Sequence, residues 1–224
     1  MAGVLKISKV GFVNRYGEEV IPCIYDETES FKNELAKVSK EGKYGFIDKK
    51  GQTIIPFLYD HFFKHNGELT IAIRNGKLGY VNSKGKEIIP CIYDNLGHFE
   101  EGLTYVEKIV VVNPDLPTWE DSFENKATKY GCFNKKGEVV IPCTYDALGA
   151  FVEDWAIAAK GEKYGAINKA NTTVVSFSYD ALADFEEGVA IAKKGEKYGL
   201  INKEEKIVIP VSYTHLTLPT TPYV

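Results

Sequence analysis

The 224-residue sequence lacks the features that mark several common functional classes. It contains no run of 18 apolar residues, which a membrane-spanning helix would need. The first ten residues include Lys6 and Lys9 and lack the apolar stretch of a secretory signal, so we expect the chain as given to be cytoplasmic. Its 27 basic and 31 acidic residues are interleaved and give a net charge of −4. Because no basic face is evident, we predict that nucleic acid is not a partner.

Residues of the kinds that bind metals or catalyse reactions are few. There are four cysteines and four histidines, without the Cys-x-x-Cys or Cys/His spacing typical of a zinc site. No phosphate-binding glycine loop, Walker signature or Ser/His/Asp arrangement is present. We therefore predict no catalytic residue, no metal site and no cofactor, and expect that the chain is not an enzyme.

What the sequence does contain is one motif repeated six times. Each copy begins with Gly, two mostly apolar residues, and Asn or Asp. The spacings between copies are 34, 34, 52, 34 and 34, so one repeat carries an 18-residue insertion. A Tyr-Asp pair follows fourteen residues after each of the first five glycines, and a proline follows eleven residues after every glycine except one, where Ser176 replaces it. The leading glycines are Gly11, Gly45, Gly79, Gly131, Gly165 and Gly199.

Each repeat carries three strand signals and no sustained helical periodicity. In the second repeat these are Tyr44 to Asp48, Thr53 to Leu58 and Leu69 to Ile73. Glycines at a constant offset of six, Gly51, Gly85 and Gly137, are predicted to sit in tight turns between antiparallel strands. Since a 34-residue unit cannot bury a core alone, neighbouring repeats should bury one another's apolar columns. The sequence predicts an all-β chain of three-stranded antiparallel β-meander repeats in a solenoid-like or superhelical array, with a β-propeller as the alternative.

The second repeat resembles a known family on these residues. Lys43 to Asp60, read as KYGFIDKKGQTIIPFLYD, is similar to the WG-containing repeat (KWG repeat) of bacterial proteins. The family's Phe-x-Glu-Gly element recurs here, for example at Phe185 to Gly188, and the resemblance covers residues 11–210. One departure is that tyrosine, leucine or valine replaces the signature tryptophan. The resemblance implies a repeat protein without enzymatic activity that acts in interactions.

Residues 211–224 break the pattern. This segment contains no Asp, Glu, Lys, Arg or Gly, and Thr214 replaces the Asp of the Tyr-Asp pair. We interpret 1–210 as six repeats and 211–224 as an irregular, non-native tail that resembles a translated sequencing adapter. The alternative is a divergent C-terminal cap. We expect this tail to pack poorly.

Repeated side chains have two possible roles. The Tyr-Asp pairs either present an aromatic ladder to carbohydrate or peptide, or pack internally while Asp caps a loop; sharing by five copies favours the second. Cys23, Cys91 and Cys143 occupy a column that holds Phe57 and Phe177 elsewhere, so we interpret it as a buried apolar column without metal or disulfide. The same reasoning applies to Cys132. The histidines and the Glu100-Glu101 and Glu186-Glu187 pairs are interpreted as surface or packing residues.

The insertion is the part of the chain that the repeats do not share. It is predicted as a surface loop over 108–128 whose ends lie close together, and its candidate partner-binding residues are Trp119, Phe123, Glu120 and Asp121. The alternative is a tolerated loop. The sequence favours a non-catalytic module for protein–protein interaction or scaffolding, with an unknown protein partner. The alternatives are a carbohydrate- or cell-envelope-binding module, or the binding appendage of a larger enzyme.

Overall fold

The structure, a computed structural model, describes residues 9–63, 69–112, 125–152 and 154–213, with the side chains of 210–213 excepted. Its elements are antiparallel strands, which confirms the all-β prediction. In the described ranges, no helix is long and apolar enough to cross a membrane. The strands are β1 Val10–Val13, β2 Glu19–Tyr25, β3 Glu27–Thr28, β4 Leu35–Lys40, β5 Lys43–Asp48, β6 Thr53–Tyr59, β7 His61–Phe62, β8 Leu69–Arg74, β9 Lys77–Asn82, β10 Glu87–Tyr93, β11 Asn95–Leu96, β12 Leu103–Val111, β13 Lys126–Asn134, β14 Val139–Tyr145, β15 Ala147–Leu148, β16 Trp155–Lys160, β17 Lys163–Asn168, β18 Thr173–Tyr179, β19 Ala181–Leu182, β20 Val189–Lys194, β21 Lys197–Asn202 and β22 Ile207–Tyr213.

The chain forms two compact units, Met1–Leu96 and Gly97–Val224. In unit 1 the sheets have the orders β1-β2, β3-β4-β5-β6 and β10-β9-β8-β7. In unit 2 the consecutive strands β12-β13-β14, β15-β16-β17-β18 and β19-β20-β21-β22 are neighbours. Within each unit, the predicted meander of tandem repeats is therefore confirmed.

The sheets differ from the prediction of three strands per repeat in one respect. A two-residue strand, such as β3, directly follows the Tyr-Asp pair and pairs with the next strand through Glu27↔Ser39 and Thr28↔Val38. A complete sheet thus has four strands and combines the end of one repeat with the start of the next. The short strand carries too few residues to show an alternating pattern, and sequence reasoning missed it.

The turn after the first strand of each repeat is stabilised by its Asn or Asp. Asp48 Oδ1 accepts hydrogen bonds from the backbone N–H groups of Lys50 at 2.9 Å and Gln52 at 2.8 Å. All six repeats share this arrangement, an Asx turn that gives the backbone a local partner. The predicted turn glycines are confirmed, since Gly51 has a φ of 77° and donates its N–H to Asp48 O at 2.9 Å.

The leading glycine is required by a close approach of two strands. In the third repeat, a Cβ on Gly79 would lie 2.5 Å from Ile89 O and 2.7 Å from Cys91 N. The register between β9 and β10 shifts between Ile89 and Tyr93, which shows a bulge around Pro90. Proline fits there because a bulge releases its nitrogen from the ladder. Only glycine allows the first strand to lie beneath that bulge.

The apolar columns of successive repeats are buried against one another, as predicted. One cluster joins Ile21, Tyr25, Ala36 and Val38 of the first repeat to Ile47 of the second. The same arrangement recurs in unit 2, where Ile167 of the fifth repeat completes the cluster of the fourth. Because each repeat lends its third residue after glycine to the preceding core, isolated repeats would expose it, and stability depends on neighbours.

The insertion lengthens a hairpin before it leaves it. Lys108 pairs with Lys129, the register that Lys40 and Lys43 have across a two-residue turn elsewhere. The extra chain is therefore 109–128, and its ends continue the ladder as far as Val111↔Lys126. The prediction that the ends lie close together is confirmed. The predicted loop over 108–128 is corrected at both ends, because the β-branched run from Ile109 to Val112 favours strand.

The last strand reaches into the segment assigned to the tail. Tyr213 pairs with Tyr198, so the backbone of 211–213 belongs to β22. Residues 214–224, including Leu216, lie outside the described residues, and the interpretation of the tail stays a prediction.

Candidate functional site

The candidate partner-binding residues lie at the end of the long hairpin. Trp119, Glu120, Asp121 and Phe123 belong to 113–124, which is outside the described residues. The structure nevertheless describes the stem that carries them. The last stem bond runs from Val112 N to Asn125 O at 2.8 Å, so the stem delivers 113–124 beyond the shared repeat.

The end of this stem exposes apolar side chains. Ile109 is 45% exposed, Val111 50% and Val112 63%. Strand residues of this kind normally cover a core. Together with the apolar and aromatic residues of the insertion, they form a surface that we call the hairpin tip, residues 109–128.

The tyrosines of the Tyr-Asp pairs are core residues. Tyr59 is 2% exposed, and the other four are 7% exposed or less. Their hydroxyl groups face the turn of the following repeat in three cases: Tyr59 donates to Glu87 Oε1, Tyr145 to Asn171 Oδ1, and Tyr179 to Glu205 Oε1. The packing interpretation is confirmed, and these rings cannot form the exposed ladder on which the carbohydrate alternative depended.

The aspartates of the same pairs hold a hairpin turn and a lysine. Asp146 accepts the backbone N–H of Gly161 at 2.8 Å and forms an ion pair with Lys129 at 2.5 Å. Lysine therefore lowers the pKa of this carboxyl below its usual value, and the turn N–H contributes in the same direction. The pairing of aspartate with the lysine 17 residues earlier recurs throughout: Lys9–Asp26, Lys43–Asp60, Lys77–Asp94, Lys129–Asp146 and Lys163–Asp180.

Two exceptions to the repeat pattern contact each other in unit 2. Glu205 stands where other turns have glycine or Asn171, and its φ of 58° is left-handed. Its carboxylate accepts the N–H of Ser176 at 3.1 Å, the Ser176 hydroxyl, and the Tyr179 hydroxyl at 3.2 Å. A proline at 176 would supply neither of the first two donors. Sequence reasoning noted Ser176 as an exception but missed that a second exception follows 29 residues later.

Unit 1 contains a pocket of about 330 Å³ between consecutive repeats. Its apolar lining includes Leu35, Phe46, Ile55 and Phe62. Its polar lining includes Glu29, Lys32, Lys37, His61, Asn82 and Ser83. Such a pocket, apolar with a few polar groups, has the character of a ligand site and lies at the small end of the usual range.

The sequence matches the model of one family, described as WG containing repeat, over six segments. These are residues 11–44, 44–77, 79–108, 130–164, 164–198 and 198–217. The chain belongs to the WG-containing repeat family. This confirms the resemblance and the number of repeats. The family assignment agrees with a repeat module and does not by itself identify what the module binds.

Comparison with other known proteins adds little to this WG-repeat assignment. No curated protein matches the sequence. A eukaryotic initiation factor has a TM-score of 0.36 and 7% identity, covering 88% of this chain and 59% of its own. The N-terminal domain of Nup159 has a TM-score of 0.29 and 11% identity, covering 90% and 66%. A protein of unknown function from Bacteroides caccae has a TM-score of 0.27 and 12% identity, covering 90% and 89%.

The signature position of the WG repeat is a packing position here. Tyr44, Leu78, Tyr130, Tyr164 and Tyr198 are all half-buried. Tyr44 also donates its hydroxyl to Glu27 at 2.8 Å and meets His61 edge-on at 5.9 Å. Replacement of tryptophan by these residues keeps a large side chain at the junction of the strands.

The cysteines occupy three different environments. Cys91 and Cys132 are buried, and burial raises the pKa of each thiol to about 11, which keeps it protonated and unreactive near neutral pH. Cys143 is half-buried. Cys23 is exposed, contrary to the expectation of a buried column. The reason is its position in the first repeat. Cys91 donates to Ala72 O from the preceding strand, and the equivalent of residue 72 falls at residue 4, outside the described residues.

The remaining titratable candidates are surface residues. His61 and His98 are exposed, while His65 and His215 lie outside the described residues. The paired glutamates form tight turns, with Glu101 at a φ of 48° and Glu187 at 50°. In the part of the chain that the structure describes, no three His, Cys, Asp or Glu side chains are grouped so that they could hold a metal.

Proposed function

We propose that this WG-repeat chain is a non-catalytic interaction module that binds a protein partner through the hairpin tip. The observation that carries the proposal is the long hairpin itself. It extends a shared two-residue turn by three further strand pairs beyond Lys108↔Lys129 and delivers a segment found in no other repeat.

The polar columns common to all repeats support this assignment, because they are already engaged within the fold. The aspartates bind lysines and turn N–H groups, and the Asn and Asp residues cap turns. Groups used in this way stabilise the array. A function specific to this chain is therefore better sought in residues that the repeats do not share.

The composition of the hairpin tip suits a protein partner. Exposed β-branched residues on the stem lead into a segment with Trp119 and Phe123, and aromatic residues anchor protein interfaces. Glu120 and Asp121 would favour a partner whose apolar contact surface has a basic rim. The partner should thus contact both an apolar patch and two carboxylates.

The test is affinity purification with the full chain, followed by reconstitution of each captured protein from purified components. The Ile109→Thr/Val111→Thr variant and Trp119→Ala should each weaken binding of the true partner by roughly tenfold or more, as loss of an interface anchor does. The matched control is Val139→Thr/Val208→Thr, which changes two valines that are 58% and 53% exposed on other strands. Equal binding by the tip and control variants would reject the hairpin tip as the binding surface.

A further inference from the structure

The pocket of unit 1 lies where other repeats place one of their own phenylalanines. The relevant position is the first residue of the Phe-x-Glu-Gly element, twenty residues after the leading glycine. Phe31, Phe151 and Phe185 occupy it in the first, fourth and fifth repeats, and the second repeat has His65 instead. His65 lies outside the described residues, so the comparison uses the surfaces around the position.

The described phenylalanines pack between repeats. Phe31 lies against Phe12, with ring centroids 4.8 Å apart. Phe185 lies against Trp155 of the preceding repeat at 5.9 Å. Phe151 packs on the fourth repeat's cluster, and its backbone N–H donates to Tyr105 Oη at 2.9 Å. An aromatic ring is thus what this position of the fold accepts.

The space left at this position differs between repeats. In the fifth repeat, the cavity lined by Trp155, Ala166 and Phe185 has a volume of about 30 Å³. In the second repeat, the equivalent positions Leu35 and Phe46 line the pocket of about 330 Å³. The difference is in the direction expected when the chain's own phenylalanine is replaced.

The lining of the larger pocket favours an aromatic ring. Phe46 and Phe62 meet edge-on, with centroids 4.9 Å apart and an interplanar angle of 76°. Ile55 is buried beside them. A ring inserted here would make the offset and edge contacts that aromatic pairs prefer.

The edge of the pocket favours an acidic neighbour to that ring. Lys32 and Lys37 both line it, against one acidic residue, Glu29. Glu29 already forms an ion pair with Lys37 at 2.5 Å. The Lys32 side chain is exposed and contributes the excess positive charge. In the chain's own occupants the phenylalanine is followed by acidic residues, as in Phe185-Glu186-Glu187.

We infer that this pocket binds a phenylalanine of a partner polypeptide, in an extended segment with the pattern Phe-Glu-Glu. The partner's ring takes the place that Phe185 fills in the fifth repeat, and its carboxylates face Lys32 and Lys37. This is a second binding surface, in unit 1, and it does not require the hairpin tip of unit 2. The two proposals can therefore fail separately.

The probe is a fluorescently labelled peptide with the sequence of residues 181–190, ALADFEEGVA, titrated with the full chain and followed by anisotropy. We expect saturable binding, weakened about tenfold or more when the peptide's phenylalanine is replaced by alanine, as loss of a buried anchor does. Lys32→Glu should weaken binding by roughly two- to fivefold and reduce its salt dependence, as expected for an exposed ion pair. Lys40→Glu, an exposed lysine that does not line the pocket, is the matched control and should have no effect.

The decisive variant is His65→Phe, which restores the family's residue and should fill the pocket from within. Because this change adds apolar burial, it should not unfold the chain, and a thermal melt checks that it does not. We expect peptide binding to be lost in His65→Phe and kept in His98→Phe, which changes an exposed histidine elsewhere. Undiminished binding to His65→Phe, or no binding to the unmodified chain, would overturn the proposal. Binding of phenylacetate without binding of the peptide would also overturn it, in favour of a small-molecule site.

Discussion

Ser176 and Glu205 each break a column of the repeat, and their contacts imply that each change is tolerated because of the other. The perturbation is to restore the common residues, Ser176→Pro and Glu205→Gly, one at a time and together. In earlier repeats the equivalent pairs are proline and glycine, for example Pro56 and Gly85. The double variant therefore reproduces a combination that the fold already contains.

The magnitude follows from the bonds that each change removes. Hydrogen bonds to a charged group contribute about 1.5–3 kcal/mol, and we take the lower end because the Glu205 carboxylate is only half-buried. Ser176→Pro removes two of its three donors, partly offset by about 0.4–1 kcal/mol from a stiffer unfolded chain. Glu205→Gly removes the acceptor, partly offset by about 1 kcal/mol from relief of the left-handed conformation. We expect each single variant to lose about 1–2 kcal/mol, and the double variant to differ little from the original chain, giving a coupling of about 2 kcal/mol.

The assay is urea unfolding followed by Trp155 fluorescence in a Trp119→Phe background. That background leaves Trp155 as the single tryptophan, and it lies in unit 2 under Lys203, whose Nζ is 5.8 Å from the ring. Asn171→Gly is the control, since Asn171 contacts Tyr145 opposite a proline and has no comparable donor to lose. If the two single effects add up to the double effect within about 0.5 kcal/mol, the reasoning is refuted.

Three further predictions concern the repeat itself. Gly79→Ala should destabilise unit 1 by about 3 kcal/mol or more, because its Cβ would lie 2.5 Å from Ile89 O and backbone overlap cannot relax cheaply; an unfolding midpoint equal to that of the original chain would contradict the close approach. The aspartates of the Tyr-Asp pairs have pKa values lowered by their lysines, so their stabilisation should be complete above about pH 4 and lost as pH falls through the lower folded values; a denaturation series from pH 6 to pH 2 that shows no loss of stability would argue against these ion pairs. Thiol labelling of the native chain should modify Cys23 first and leave Cys91 and Cys132 protected until unfolding; rapid labelling of the buried pair would show that the core is open.

The features that follow from residues shared by all copies were predictable from the sequence. A constant offset placed the turn glycines, and repetition of the Tyr-Asp pair indicated a structural role for Tyr59 and its equivalents. The two-residue strands were not predictable, because Glu27 and Thr28 are too few to show a period. The role of the lysine before the signature position was missed as well, since it pairs with an aspartate 17 residues away on another strand.

The candidate sites were harder to predict, because they depend on exceptions rather than on columns. The insertion's length was clear from the spacing of 52, but its ends required the register Lys108↔Lys129. The unit 1 pocket was signalled only by His65 in a phenylalanine column, and its size depends on how neighbouring repeats approach each other. Single-column reasoning also cannot show that Ser176 and Glu205 touch.

The central claim is that the repeats provide stability and that the hairpin tip provides recognition. The most direct measurement replaces residues 109–128 with Asn-Gly, the turn that the register of Lys108 and Lys129 allows, and compares melting and binding of the reconstituted partner. Loop closure changes by only about 0.6 kcal/mol per doubling of length, so the shortened chain should melt within a few degrees of the original. The account predicts that this folded variant loses the partner. A folded variant that binds the partner as tightly as the original chain would contradict it.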